Sequence, residues 1–240
     1  MEASYIAAQS NWLYDSGMFS FNLGLIIHSK LPLYRRGAFY EEGHTMADVD
    51  RVVIAGGGIA GLAVGVALRQ QGIDAQVYEK YGHLQGRATG FSIWAYAVRH
   101  LIEWGFDAER LARIGREIQE SHIVDQKFRP LLTLPIHEAG VEMNAPSMDV
   151  DRRKLQEELI DILGAANYHF NSEVVAVEET EDDVTLVLAD GRRVTGDLAL
   201  GCDGIRSTVR DDHLHQKVDL VHGELDVLEG LAKLDPGPRA

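Results

Sequence analysis

A single cysteine, Cys202, stands among 240 residues, so the chain carries no internal disulfide framework and no multi-cysteine zinc or iron–sulfur site. Proline is scarce too, at 6 residues, and no low-complexity stretch or internal repeat accompanies it. Positive charge is in short supply: 23 basic residues face 37 acidic ones, for a net charge of −14. A surface of that sign repels phosphate backbones and anionic headgroups, which argues against nucleic-acid and membrane partners. Long apolar runs are missing as well. The sharpest candidate, Val52–Leu68, is shorter than the ~20 residues of a membrane span, and five of its residues are glycine. No basic residue precedes the first apolar stretch, Gly17–Ile27, so no secretory leader is expected and the expected setting is cytoplasmic. What remains is a globular composition, 45% apolar, long enough to bury a core without staples.

Patterning divides the chain unevenly. Residues 1–45 scatter their aromatics without a period of 2 or 3.6 and form an unassigned N-terminal extension; the folded unit is expected to start near Met46. From there Arg51–Ala55 reads as a buried strand, Ile59–Gln71 as a helix closed by Gly72, and Ala75–Glu79 as a second strand. Helices are expected over Ala95–Trp104 and Ala108–Ile118, and short strands at His122–Val124, Leu131–Leu134 and Val141–Met143. Arg152–Leu163 is a helix with Leu155, Leu159, Ile160 and Leu163 on one stripe. Val174–Val177 and Val184–Leu188 then read as strands, Asp190-Gly191 as a hairpin turn, and Asp197–Gly201 as a returning strand. The order is that of an α/β nucleotide-binding layout, a Rossmann-like parallel sheet with an antiparallel β-meander.

The chemistry concentrates in Val52-Val-Ile-Ala-Gly56-Gly-Gly58-Ile-Ala-Gly61. Gly56, Gly58 and Gly61 occupy the three fixed positions of G-x-G-x-x-G, between an expected strand and an expected helix. The first permits the tight turn, the second lets a pyrophosphate approach the backbone, and the third lets helix and strand pack closely. The helix N-terminus adds free N–H groups and partial positive charge, worth roughly 0.3–1 kcal/mol per anionic contact. An acidic chain can therefore hold an anionic cofactor without a basic patch. Glu79 closes the second strand, about where a carboxylate should meet a ribose hydroxyl, and it disfavours a 2′-phosphate there. These residues alone leave FAD and NAD open.

Later segments resemble the FAD-dependent monooxygenases of the aromatic-hydroxylase family, the p-hydroxybenzoate and salicylate hydroxylase type. The resemblance runs over roughly residues 51–210: the glycine fingerprint with Val77-Tyr-Glu79-Lys80, the stretch Ala88-Thr-Gly90-Phe-Ser-Ile93 to Leu101, Val150-Asp-Arg152-Arg-Lys-Leu155, and Asp197-Leu-Ala-Leu-Gly201-Cys-Asp203-Gly204-Ile-Arg206-Ser207. The last is similar to the family's Asp-Gly motif and is the most specific of the four. The resemblance implies that Gly56, Gly58 and Gly61 cradle the FAD pyrophosphate, with Glu79, beside Lys80, on the adenosine ribose. It also implies Arg152 on the flavin side, Asp203 by the pyrophosphate, the Val174 backbone near adenine, and Arg87 and Gly90 as loop contacts. The implied activity draws electrons from NAD(P)H as a transient reductant and inserts one atom of molecular oxygen into a small organic substrate, an aromatic one included.

One departure stands out. The family's second flavin motif, near Gly-Asp-Ala-Ala-His-Pro, has no counterpart, because the chain stops 36 residues beyond Gly204. The sequence therefore reads as an N-terminal fragment: an FAD-binding domain over 46–212, short strands inserted near 121–150, and an incomplete substrate domain or tail over 213–240. The alternatives are an inactive FAD-binding remnant, an NAD-dependent dehydrogenase, or another flavin-fold oxidoreductase. His213-Leu-His215 lacks a placed third ligand and is expected to be a polar loop, so no metal is expected. Cys202 is expected to be buried filler and not a reactive thiol.

Overall fold

The computed structural model describes residues 5–9, 22–28, 49–84, 90–180 and 182–213. They fall into two units, one made of the described residues up to Leu84 and from Gln156 onward, the other of those between. Arg87, His215 and the segment 214–240 lie outside the described residues, as does most of the extension 1–45.

The first unit is built on parallel strands β3 (Arg51–Ala55), β4 (Asp74–Tyr78), β10 (Tyr168–His169) and β14 (Leu198–Gly201), in the order β14-β3-β4-β10. Val52, Val53, Ile54 and Ala55 are all fully buried, which is why β3 reads as an unbroken apolar run: both faces of the sheet are covered. Helix α1 (Ile59–Gln70), which follows β3 directly, buries Leu62 and Val66. The antiparallel meander β11 (Val174–Glu179), β12 (Val184–Leu188) and β13 (Arg193–Gly196) supplies a second layer. Its Val174, Val184, Leu186 and Leu188 form one core with Val53, Ala55, Tyr78 and Ala199 of the sheet. Asp197, just before β14, accepts from the backbone N–H of Asp50 at 2.9 Å and Arg51 at 2.8 Å, fastening the start of β3. Within the extension that patterning leaves unassigned, β1 (Tyr5–Gln9) and β2 (Asn22–His28) pair with each other, and β2 pairs antiparallel with β14.

The second unit carries β5 (Gly90–Ile93), β9 (Met148–Asp151) and β6 (Gly115–Glu117) as an antiparallel sheet in that order. It also holds α2 (Ala95–Glu103), α3 (Ala108–Ile114), α4 (Ile136–Met143) and the hairpin of β7 (Ser121–Val124) with β8 (Pro130–Leu134). Helix α5 spans Arg152–Leu163, with the bounds its apolar stripe indicates.

Two sequence expectations are corrected here. The helix expected over Ala108–Ile118 ends at Ile114, because Gly115 is drawn against β9; a Cβ on it would lie 2.0 Å from the Asp149 carbonyl oxygen. The strand expected at Val141–Met143 is the last turn of α4, terminated by Asn144 in the left-handed region at φ 53°. A short apolar run fits either structure, and the cap decides.

Candidate functional site

At the end of β3 the chain turns sharply into α1. Gly56 stands at φ +100°, its N–H donates to the Tyr78 carbonyl at 2.8 Å, and a Cβ on it would lie 2.4 Å from the Cys202 carbonyl oxygen. The glycine is thus needed twice, for the backbone conformation and for the close passage of the Cys202–Asp203 peptide. Gly61 is just as confined, since a Cβ there would sit 2.0 Å from the Gly56 carbonyl oxygen. Gly58 differs. Nothing lies within 4 Å of the place its Cβ would take. It is the N-cap of α1, offers no side-chain cap, and no acidic residue occupies the first turn. A twelve-residue helix therefore starts beside a glycine whose side-chain position is open, with no side chain capping its first N–H groups.

Glu79 follows β4 immediately, on the parallel neighbour of β3. Its carboxylate accepts from the Gly57 N–H at 2.8 Å and from the Tyr81 N–H at 3.1 Å. Each oxygen keeps a lone pair for a ribose hydroxyl, so the residue both braces the turn and presents an acceptor. Lys80 is exposed beside it, its ammonium 5.0 Å from the Tyr81 ring centroid. Asp203 follows β14, where the backbone abuts Gly56. Its carboxylate turns inward, taking the Ser207 hydroxyl at 2.5 Å and the N–H groups of Thr208 and Val209 at 2.7 and 3.2 Å. Asp203 thus shapes the turn after β14 through its side chain and meets the glycine loop through its backbone.

Gly56, Gly58, Gly61, Glu79, Lys80 and Asp203 come together at the carboxyl ends of adjacent parallel strands, the place where open α/β sheets bind ligands. Val174 belongs to the same unit and opens β11 opposite Leu188, with its side chain in the core. Gly90 and Arg152 fall in the second unit: Gly90 pairs with Asp151, and Arg152 follows as the exposed first residue of α5. The Asp151 carboxylate caps that helix, accepting from the N–H groups of Arg153 and Lys154 at 2.9 and 3.1 Å. Burial and the adjacent Asp203 carboxylate push the Cys202 thiol up to about 12, so it stays protonated at neutral pH and acts as packing.

Sequence reasoning missed two residues of this site. Tyr168 on β10 donates its hydroxyl to the Gly57 carbonyl at 3.0 Å, and Gln156 on α5 reaches the same oxygen at 3.4 Å. Gln156 was detectable as a polar residue spaced i, i+3, i+7 with the buried Leu159 and Leu163. Nothing local marks Tyr168.

The site fits a dinucleotide diphosphate: an uncapped helix N-terminus, an open place beside Gly58, and a carboxylate at ribose distance in sequence. Comparison with known proteins narrows it. Residues 49–228 match the family model described as FAD binding domain. The chain is 36% identical over 159 residues to the aurachin C monooxygenase/isomerase of Stigmatella aurantiaca, covering 66% of this chain and 41% of that protein. It is 32% identical over 170 residues to the 3-amino-4-hydroxybenzoate 2-monooxygenase of Streptomyces cremeus, covering 69% and 42%. Among solved structures it is similar to Klebsiella pneumoniae HpxO complexed with FAD and uric acid, with a TM-score of 0.61, 27% identity and coverage of 67% and 41%. The chain thus spans about two fifths of the length of these relatives. Among the described residues no helix is long and apolar enough to cross a membrane. With the match extending over most of its length, the chain belongs to the FAD binding domain family, whose cofactor is FAD.

Proposed function

We propose that this chain is the FAD-holding part of an NAD(P)H-dependent flavin monooxygenase that inserts one atom of molecular oxygen into a small organic substrate, an aromatic one included. The observation that carries the reading is the uncapped start of α1 beside Gly58, faced by Glu79, in a chain of the FAD binding domain family. Gly56, Gly58 and Gly61 would seat the pyrophosphate, Glu79 with Lys80 the adenosine ribose, and Asp203 the turn beside them. The Val174 backbone is assigned to adenine, and Gly90 and Arg152 to the flavin side. Bound FAD supplies two-electron redox and oxygen chemistry, while the protein binds, orients and excludes water. The names of the relatives support the substrate class: one is a 3-amino-4-hydroxybenzoate monooxygenase, and another is seen with uric acid. The family match favours FAD over the dehydrogenase reading. The second reading is a binder without turnover. Flavin-dependent NADPH oxidation by the purified chain separates the two. Oxidation above the FAD-only blank supports the enzyme, and its absence supports the bare binder.

Glu79→Ala removes the ribose acceptor and the brace on the Gly57 N–H. FAD affinity, read by flavin fluorescence quenching, is expected to fall roughly 10- to 150-fold, the equivalent of about 1.5–3 kcal/mol for bonds to a charged group. Unchanged affinity would remove Glu79 from the site.

We also place the FAD-binding unit at residues 46–212, with the residues before it an addition. Two facts support its start: the family match, which runs over residues 49–228, begins close to it, and β2 runs antiparallel beside four parallel strands. Limited proteolysis is expected to cleave before Met46 and leave the remainder intact. Equal protection of both parts would contradict the boundary. The lone cysteine fits the reducing cytoplasm expected from the sequence.

A further inference from the structure

We infer that Tyr168, with Gln156 beside it, is a positioning residue that aims the Gly58 N–H at the cofactor pyrophosphate by fixing the Gly57–Gly58 peptide; the inference rests on the FAD-binding reading above. Gly57 is buried and held on both sides. Its N–H donates to the Glu79 carboxylate at 2.8 Å, and its carbonyl accepts from the Tyr168 hydroxyl at 3.0 Å and from the Gln156 amide at 3.4 Å. The two donors come from β10 and α5, 111 and 99 residues away in sequence, and each is only 6% exposed.

A trans peptide points its C=O and N–H in opposite directions. Holding the Gly57 carbonyl toward Tyr168 and Gln156 therefore turns the Gly58 N–H away from them. That N–H meets no acceptor among the described residues, and the space beside Gly58 is open. A flipped peptide would present a carbonyl oxygen to the diphosphate instead, repelling the charge the turn is built to hold. The arrangement also explains why the variable position between Gly56 and Gly58 is glycine here. A Cβ on Gly57 would lie 2.3 Å from the Tyr168 hydroxyl oxygen. Burial and the nearby Glu79 charge push the Tyr168 phenol above its ordinary range, so it remains a donor at neutral pH.

The test is Tyr168→Phe in the full chain, which deletes one hydroxyl and keeps the ring in its edge contact with Phe170 at 4.8 Å. FAD and adenosine diphosphate are expected to bind about 3- to 10-fold more weakly, as for one lost neutral hydrogen bond, while adenosine, which has no phosphate, binds as before. A merely structural tyrosine would weaken all three ligands alike; that result, or unchanged FAD and diphosphate affinity, overturns the inference. A second readout needs no ligand. The Gly58 amide resonance of the free protein, on the same peptide as the carbonyl that Tyr168 holds, is expected to shift and broaden in the variant, and an unchanged resonance overturns the inference too. Failure of the unsubstituted chain to bind FAD would count against the binding reading, while the Gly58 resonance still decides whether Tyr168 fixes that peptide.

Discussion

Gly58→Val is expected to leave the protein folded and to abolish FAD binding, weakening it by at least ~100-fold. The position is an N-cap with extended backbone, φ −68° and ψ −179°, a conformation valine adopts freely, and no atom lies within 4 Å of the new Cβ. Folding therefore loses at most about 1 kcal/mol, the cost of a poorer N-cap, and thermal unfolding shifts by a few degrees. On the proposed reading binding suffers, because valine would fill the space that reading gives to the diphosphate at the helix N-terminus. Flavin fluorescence titration beside a melting curve reads both effects. A variant that binds FAD normally would place the cofactor elsewhere.

Gly61→Ala is expected to behave in the opposite way, as a stability defect. One methyl group must fit where the Gly56 carbonyl oxygen lies 2.0 Å away and the Cys202 Cβ 3.4 Å away. Neither neighbour is the end of a flexible side chain, so α1 must move off the strand. The expected loss is about 3 kcal/mol, the upper range for overpacking, or roughly 10 °C in a chain of this size. A melting temperature within 2 °C or so of the original would show that the helix does not pack so closely against the turn. Those two outcomes together would separate two reasons for glycine within one motif, room for a ligand and room for the fold.

Local signals were legible and distant ones were not. The succession β3, glycine turn, α1 and β4 follows from contiguous patterns: an apolar run, a motif of fixed spacing and a helix stripe ending at Gly72. The course of α5 follows from the stripe Leu155, Leu159, Ile160 and Leu163. By contrast β5, β6 and β9 are three or four residues long and exist because they pair across tens of residues, as Gly115 does with Val150. No periodicity develops over so short a span. β2 likewise gains its role from the edge that β14 offers. The candidate site shows the same division. Gly56, Gly58, Gly61 and Glu79 are visible because β3, α1 and β4 are consecutive. Tyr168 reaches Gly57 only because β10 returns to lie beside β4.

The central claim is that this chain carries a working seat for the adenosine diphosphate half of FAD. Titration of the purified chain with FAD, followed by quenching of flavin fluorescence, tests it most directly. Dissociation constants near micromolar or tighter, about −8 kcal/mol of binding free energy, are the expected result, with Gly58→Val silent under the same conditions. An unsubstituted chain that remains folded and leaves the flavin unquenched at roughly a hundred times that concentration would contradict the account.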